Sequence, residues 1–497
     1  MNTIKSMYKW ETLPWKKIEW QVFKLQKRIY QASSKNDMKS VHRLQKLLLK
    51  SQYAKFLVVK KVAQVNKGKH TAGIDGVKSL TNNQKYKLAL NLKLPEKASP
   101  TRRIWIPKLG NKTEKRPLSI PTMRNRAEQA LLKFALEPEW EAKFEANTYG
   151  FRPGRSTWDA IEAIFITIKA KPKYVLDADI AKCFDRINHD VLLKKMNTFG
   201  KIRKATKAFL TSGFMDGDRL FPTAEGTPQG SIVSPLLANI ALYGFQTFIR
   251  DSFPAFYKGN QGWKPYIIMY ADDFVILHHD QSVIEKSRKL ASEWLSELGL
   301  ELKDSKTRIS HTLNDHNDNC GFDFLGFQIR QFPVGKTHSG KLQRRGYKAT
   351  LLGFKTIISP SKKAQMRHLD VLKDRISRLR SVSQEVLIAQ LNPVIRGWCN
   401  YYSTVCSKEI FIKVSHKMVL KLLKWANRRH PNKGSKWIVR KYWRLEQGSW
   451  NFAIKGGIRL RNHQEVAIKR HIKIRSTKSP FDGDWKYWNN RGTRTAV

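Results

Sequence analysis

Acidic residues are scarce in this chain: 40 Asp and Glu stand against 93 Lys and Arg in 497 residues, a formal charge of +53. Such an excess argues against a basic partner and for a polyanion. Cysteine is also scarce. The four present, Cys183, Cys320, Cys399 and Cys406, form no CxxC pair, so neither a zinc ribbon nor a disulfide framework is supported and free thiols are expected. Long hydrophobic runs are missing too. The opening MNTIKSMYKWETLPW has no apolar core of signal-peptide length, and IVSPLLANIALYGF is too short and interrupted to span a bilayer. A soluble, intracellular, cytoplasmic protein without a membrane partner is expected. No repeat or low-complexity tract is present.

What the chain does have is apolar material. A hydrophobic fraction of 41% is enough for real cores and excludes a disordered basic tail. The 15 Trp, scattered through basic context, suit base stacking as well as ordinary packing. Residues 20 to 65 predict two helices, with Val22, Leu25 and Ile29 on one face, then Val41, Leu44 and Leu48, separated by SSKND. From about 100 to 330 short apolar strands punctuated by Gly and Pro mark an α/β texture. Helical spacing returns between about 360 and 425, as in Leu369, Leu372, Ile376 and Leu379. Charge is uneven: residues 171 to 310 hold 20 basic against 16 acidic residues, residues 421 to 497 hold 20 against 4. A near-neutral centre inside a basic chain suits metal ions held against phosphates.

The acids that matter are grouped. In YIIMYADDFVIL, Asp272 and Asp273 sit at the tip of a predicted hairpin between two apolar strands, where charge is costly unless something binds it. In KYVLDADI, alternation puts Val175, Asp177 and Asp179 on one face of a strand. Alone, the Asp at the strand end can also be a terminal residue capping the segment from Ala181. Together, three carboxylates at neighbouring strand ends are what two-metal nucleotidyl transfer requires, one ion activating a 3′-oxygen and one holding the leaving pyrophosphate.

Ordered segments over nearly the whole length carry a resemblance: GIDGV at 73 to 77, RRIWIPK, RPLSIPT, NTYGFRPGRS at 147 to 156, LDADIAKCFDRI, GTPQGSIVSPLLANI, YADD, GLELKDSKTRI, FDFLGF, LNPVIRGWCNYY and WANRRHPNK. The chain resembles the group II intron-encoded reverse transcriptases and maturases. That resemblance implies an α+β right-hand polymerase. Fingers and an RRM-like palm with an antiparallel sheet would occupy residues 1–350, including a helical extension over 1–70. A helical thumb, or X (maturase) domain, would follow over 351–440 and a small basic DNA-binding segment over 441–497. Relatives often continue into a zinc-supported HNH endonuclease; His463 and His471 alone do not make that site, and second-strand cleavage by this chain is not expected.

By resemblance, Asp179 is the first catalytic Asp because Phe184 stands five positions later, Asp272 is the second metal ligand, and Asp273 supports them electrostatically. Asp185 is expected to shape a turn. The metal set is Asp179, Asp272 and the backbone carbonyl of Ile180, around two Mg²⁺ ions for which Mn²⁺ can substitute. Phe184 matches the ring under the incoming sugar that favours dNTP over rNTP, or it is a core Phe. Lys108 and Arg116 match residues that clamp the triphosphate. Thr227 to Gly230 reads locally as a turn; in the family its Gln229 lies near the nascent base pair. Lys306 matches a Lys that can protonate pyrophosphate, and otherwise is a surface charge. Arg152 matches a template contact. Arg428, Arg429 and Lys433, exposed where RRHPNK should break a helix, suit RNA phosphates. Trp398, Tyr401 and Tyr402 can stack on bases but fit helix packing better.

The function so implied is RNA-directed DNA polymerase, binding intron RNA, assisting splicing and copying the intron at a DNA target within a ribonucleoprotein. The implied partners are group II intron RNA, an RNA template, a DNA primer or target, and dNTPs. A pure RNA-binding maturase on a polymerase scaffold is the alternative, which clustered carboxylates disfavour. A defence-associated reverse transcriptase would not need LNPVIRGW and RRHPNK, and an RNA polymerase would not need Phe184.

Overall fold

A computed structural model of the chain describes residues 10–108, 111–257, 260–261, 263–316, 319–343, 348–446, 448–476 and 478–495. By contacts the chain divides into two compact units: one of residues 1–160, 176–308 and 474–497, and one of residues 161–175 and 309–473.

The first unit begins with α1 (Trp15–Ser34), α2 (Met38–Lys50) and α3 (Gln52–Lys60). The second expected helix is two: Ser51 accepts a hydrogen bond from Ala54 N, so a new helix starts where the apolar pattern alone predicted continuity. Next come β1 (Thr101–Lys108), β2 (Asn111–Ile120) and α4 (Met123–Lys143). Ile18, Val22 and Ile29 of α1 and Val41, Leu44 and Leu48 of α2 are buried. Gln45 of α2 donates to Glu139 Oε2 at 2.7 Å and to the Ala135 carbonyl, which fixes its register on α4. α5 (Thr157–Ile168) and β3 (Tyr174–Asp179) both cross the boundary between the units.

After β3 come α6 (Cys183–Arg186), β4 (Phe214–Asp216), β5 (Arg219–Phe221), α7 (Ser234–Leu242), β6 (Tyr266–Tyr270) and β7 (Asp273–His278). One sheet has the order β2-β1-β4-β5, with β1 antiparallel to β2 and parallel to β4. A second places β7 between β3 and β6. Val175, Leu176, Ala178 and Asp179 of β3 are all buried, so both faces of this strand are covered and only Asp177 within 175–179 stays half exposed.

The second unit carries an antiparallel sheet of β8 (Phe322–Phe324), β9 (Phe327–Pro333) and β10 (Phe354–Pro360). Helices α8 (Lys362–Arg378), α9 (Gln384–Tyr402) and α10 (Lys408–Arg429) follow. Leu372, Ile376, Leu391, Ile395, Val414 and Leu422 fill the core of these helices. Tyr401 and Tyr402 donate to the carbonyls of Leu325 and Gly326, and Trp398 stacks on His368 at 4.4 Å, so these aromatics pack. All four cysteines are free. Among the described residues no helix is long and apolar enough to cross a membrane. In the first unit, α11 (Trp485–Thr495) completes the chain of elements.

Candidate active site

The hairpin tip is built under local strain. Tyr270 pairs with Asp273, leaving Ala271 and Asp272 as a two-residue turn, and Ala271 has φ +58°. Positive φ at the first turn position is the place of Gly in a II′-like hairpin, and an L-residue there costs about 1–2 kcal/mol. The neighbouring chain supports the turn. Met269 N donates to Asn147 O, Tyr149 N to Met269 O, both at 2.9 Å, so 147–149 meets β6 in a single parallel bridge at Thr148 and Met269. Gly150 then lies so close that a Cβ on it would stand 2.3 Å from Ala271 N. Asn239 of α7 holds the Gly150 carbonyl at 2.8 Å.

Asp272 meets β3 through its backbone. Ile180 N donates to Asp272 O at 3.2 Å, while Lys303 N donates to Asp179 O and Ala181 N to Glu301 O. Those flanking bonds bridge Ile180 to Leu302 without consuming the Ile180 carbonyl. Asp179 is buried, Asp272 and Asp273 half-buried. Burial first, then the charges of Asp179 and Asp272, holds the Asp273 carboxyl well above the ordinary carboxylate range. Burial and then Asp179 raise Asp272 as well. The neighbouring Cys183 thiol is pushed up by burial and by Asp272, Asp179 and Asp185, so it is inert.

One cation answers these carboxylates directly. Lys306 Nζ lies 2.5 Å from Asp179 Oδ2. Burial pulls its ammonium down, but Asp179, Asp273 and Asp272 outweigh that and raise it. Among the described residues no three His, Cys, Asp or Glu side chains are grouped to hold an ion unaided. Mg²⁺ is commonly held by one or two carboxylates with phosphate and water oxygens completing an octahedron, so two carboxylates at adjacent strand ends fit its donor chemistry.

A cleft of about 470 Å³ is lined by Arg103, Trp105, Lys182, Phe184, Asp185 and Gln229 among others. Phe184 is half-buried and meets Phe151 edge-on at 6.0 Å, so it is not a core residue. The Thr227 to Gly230 turn is tied to the chain around it by Thr227 N to Phe184 O at 2.5 Å and Ser119 N to Gln229 O at 2.6 Å. Asp185 does more than shape a turn: its carboxylate accepts both contacts of Gln229 Nε2, at 3.1 and 3.2 Å. Arg116 is exposed on β2, and its charge reaches Asp185 and Asp272. Lys108 ends β1, but its side chain lies outside the described residues. Arg103 was not expected; its guanidinium stacks 3.5 Å over Phe214, which a lone Arg in a basic strand did not signal.

One expected nucleic-acid contact is corrected, and a second is partly engaged within the protein. Arg152 is buried, bidentate to Glu141 at 2.8 and 3.1 Å and donating to the carbonyls of Glu145 and Thr148. It braces its own loop and is not presented to a template. Arg429 donates to the carbonyls of Arg380 and Val382 and lies over Trp425, so its fork closes the α8–α9 connection. Arg428 and Lys433 are exposed.

Three families match in order along the chain: N-terminal domain of reverse transcriptase over residues 10–92, reverse transcriptase (RNA-dependent DNA polymerase) over 106–329, and group II intron, maturase-specific domain over 365–443. Protein YkfC of Escherichia coli is 31% identical, over 53% of this chain and 77% of its own. The group II intron-encoded protein LtrA of Lactococcus lactis is 28% identical, over 79% of this chain and 76% of its own. An uncharacterized 91 kDa protein in the cob intron of Schizosaccharomyces pombe is 29% identical, over 72% of this chain and 50% of its own. With a polymerase domain and a maturase-specific domain on one chain, the protein belongs to the group II intron-encoded reverse transcriptases and maturases, whose polymerases use divalent metal ions.

Proposed function

We propose that this reverse transcriptase and maturase transfers nucleotides at the β3 and β6–β7 carboxylates, in a right-hand arrangement whose thumb spans 351–440. The observation that supports the reading is the meeting of the two strand ends through the Ile180 N to Asp272 O bond, with the Asp272 carboxyl raised by burial and by the charge of Asp179. Two Mg²⁺ ions, held by Asp179, Asp272 and the Ile180 carbonyl, would activate the primer 3′-oxygen and neutralise the leaving pyrophosphate.

The chain's own groups do the rest. Asp273, its carboxyl held up by burial and by the charges of Asp179 and Asp272, is the supporting group beside the pair. Lys306, already protonated against Asp179, carries a proton to the leaving oxygen when substrate phosphates compete for its ammonium. Arg116, and Lys108 at the end of the same hairpin, clamp the triphosphate. Phe184 lies under the sugar and rejects a 2′-hydroxyl, and Gln229, held by Asp185, faces the base pair. Arg428 and Lys433 hold RNA phosphates. The partners of this assignment are intron RNA, an RNA template, a DNA primer or target, and dNTPs.

Primer extension on an RNA template with Mg²⁺, with Mn²⁺ in parallel, tests it. DNA from wild type, none from Asp272→Ala, and failure with rNTPs are the expected results. A folded wild type that binds structured RNA tightly but extends nothing would leave the protein a maturase on an inactive polymerase scaffold.

A further inference from the structure

Residues 474–495 lie in the same compact unit as residues 1–160. They converge on one buried carboxylate. Asp159, in the first turn of α5, is fully buried, and Arg491 Nη2 of α11 lies 2.8 and 2.9 Å from its two oxygens. Asp159 also accepts from Ile474 N at 2.7 Å and from Ser156 N and Oγ. Nearby, Arg155 donates to Ala146 O and to Ser476 O. Gly154, at φ +71°, lets the Trp488 ring approach so closely that a Cβ would stand 2.7 Å from it. Trp485 packs on Phe23 of α1 at 4.7 Å.

The segment gripped in this way leads back to the hairpin. Residues 147–150 are the ones that pair with β6 and press Gly150 against Ala271. Asp159 therefore anchors one end of a short loop whose other end buttresses the strained turn carrying Asp272. Removing Arg491 takes away the guanidinium that contacts both oxygens of this buried carboxylate, a costly change that favours loosening of the loop toward water.

We propose that α11 is an intramolecular clasp, and that Arg491 and Asp159 are positioning residues holding the 147–159 segment, and through it the Asp272 turn, in register. This assigns 474–495 a role inside the polymerase in place of the DNA contact expected from its charge. It rests on Asp272 being catalytic.

The test uses full-length Arg491→Met, Arg491→Lys and Trp485→Ala, the last loosening the clasp without stranding a charge. Amide hydrogen exchange at Tyr149 and Met269 is read beside steady-state primer extension, at a temperature where circular dichroism matches wild type. Arg491→Met is expected to lose protection at both amides and about tenfold in kcat, since small misplacements of a reacting group are expensive. KM for dNTP should change little, and Arg491→Lys should recover most of both losses. Trp485→Ala should shift both in the same direction, and serves if Arg491→Met does not fold. Wild-type exchange and kcat in a folded Arg491→Met or Trp485→Ala overturn the clasp. If wild type itself makes no DNA, the polymerase assignment fails, while the exchange arm still decides whether α11 holds the loop.

Discussion

At the scale of single residues, identical side chains divide by what surrounds them. Arg152 and Arg428 both stand in basic motifs, yet one is buried on Glu141 and the other exposed at a helix end. Arg152→Met should cost about 3–5 kcal/mol of stability because Glu141 is left buried and unpaired, measured by denaturant unfolding. Arg428→Ala should leave stability nearly unchanged and weaken RNA binding. Ala271 offers a complementary test. Ala271→Gly relieves a positive φ and should stabilise the chain by about 1 kcal/mol, while primer extension slows because the turn beneath Asp272 loosens. A variant both less stable and equally active would contradict the strain assigned to this position. The carboxylates themselves were legible in the sequence, since charge at an apolar hairpin tip has few explanations. Gly150 was not, because its need for closeness comes from a backbone far along the chain.

At the scale of elements, the helices of the second unit hold a titratable joint. His368 of α8 and His463 face each other, Nε2 to Nε2 at 2.9 Å, against Trp398 of α9. Burial, and for His368 also the neighbouring imidazole, pulls them down to about 3 and about 4 respectively. An unfolded His takes up a proton near pH 6.5, so between that value and the folded ones the unfolded chain binds more protons. Stability is therefore complete above about pH 6.5 and declines as pH falls toward about 4, by an amount on the order of a few kcal/mol. Thermal unfolding at neutral pH and at about pH 5 should reveal the decline, and His463→Gln should flatten it. Helical spacing located Leu372 and Ile376 correctly, because a helix buries one stripe wherever it packs. It missed the break at Ser51, where a cap overrides an unbroken apolar pattern.

At the scale of the whole molecule, a formal charge of +53 sets the expectation for association with RNA. Intron RNA affinity should fall steeply with added salt, and Arg428→Ala or Lys433→Ala should each reduce the slope of log K against log salt by about 1. A flat affinity between low and moderate salt would show that phosphate neutralisation is not what holds the RNA. The sequence by itself determined a basic chain suited to a polyanion, carboxylates at the tip of an apolar hairpin, and a mixed α and β polymerase region followed by helices. Those features are written locally, in composition, in strand and helix periodicity, and in short motifs. Only the tertiary structure decided which basic residues are left exposed and which, like Arg152 and Arg491, are consumed inside. It also decided that Gly150 must be small and that residues 474–495 close on Asp159. Each depends on pairing between residues distant along the chain, and a buried ion pair or a backbone approach leaves no mark on either partner's own surroundings in the sequence.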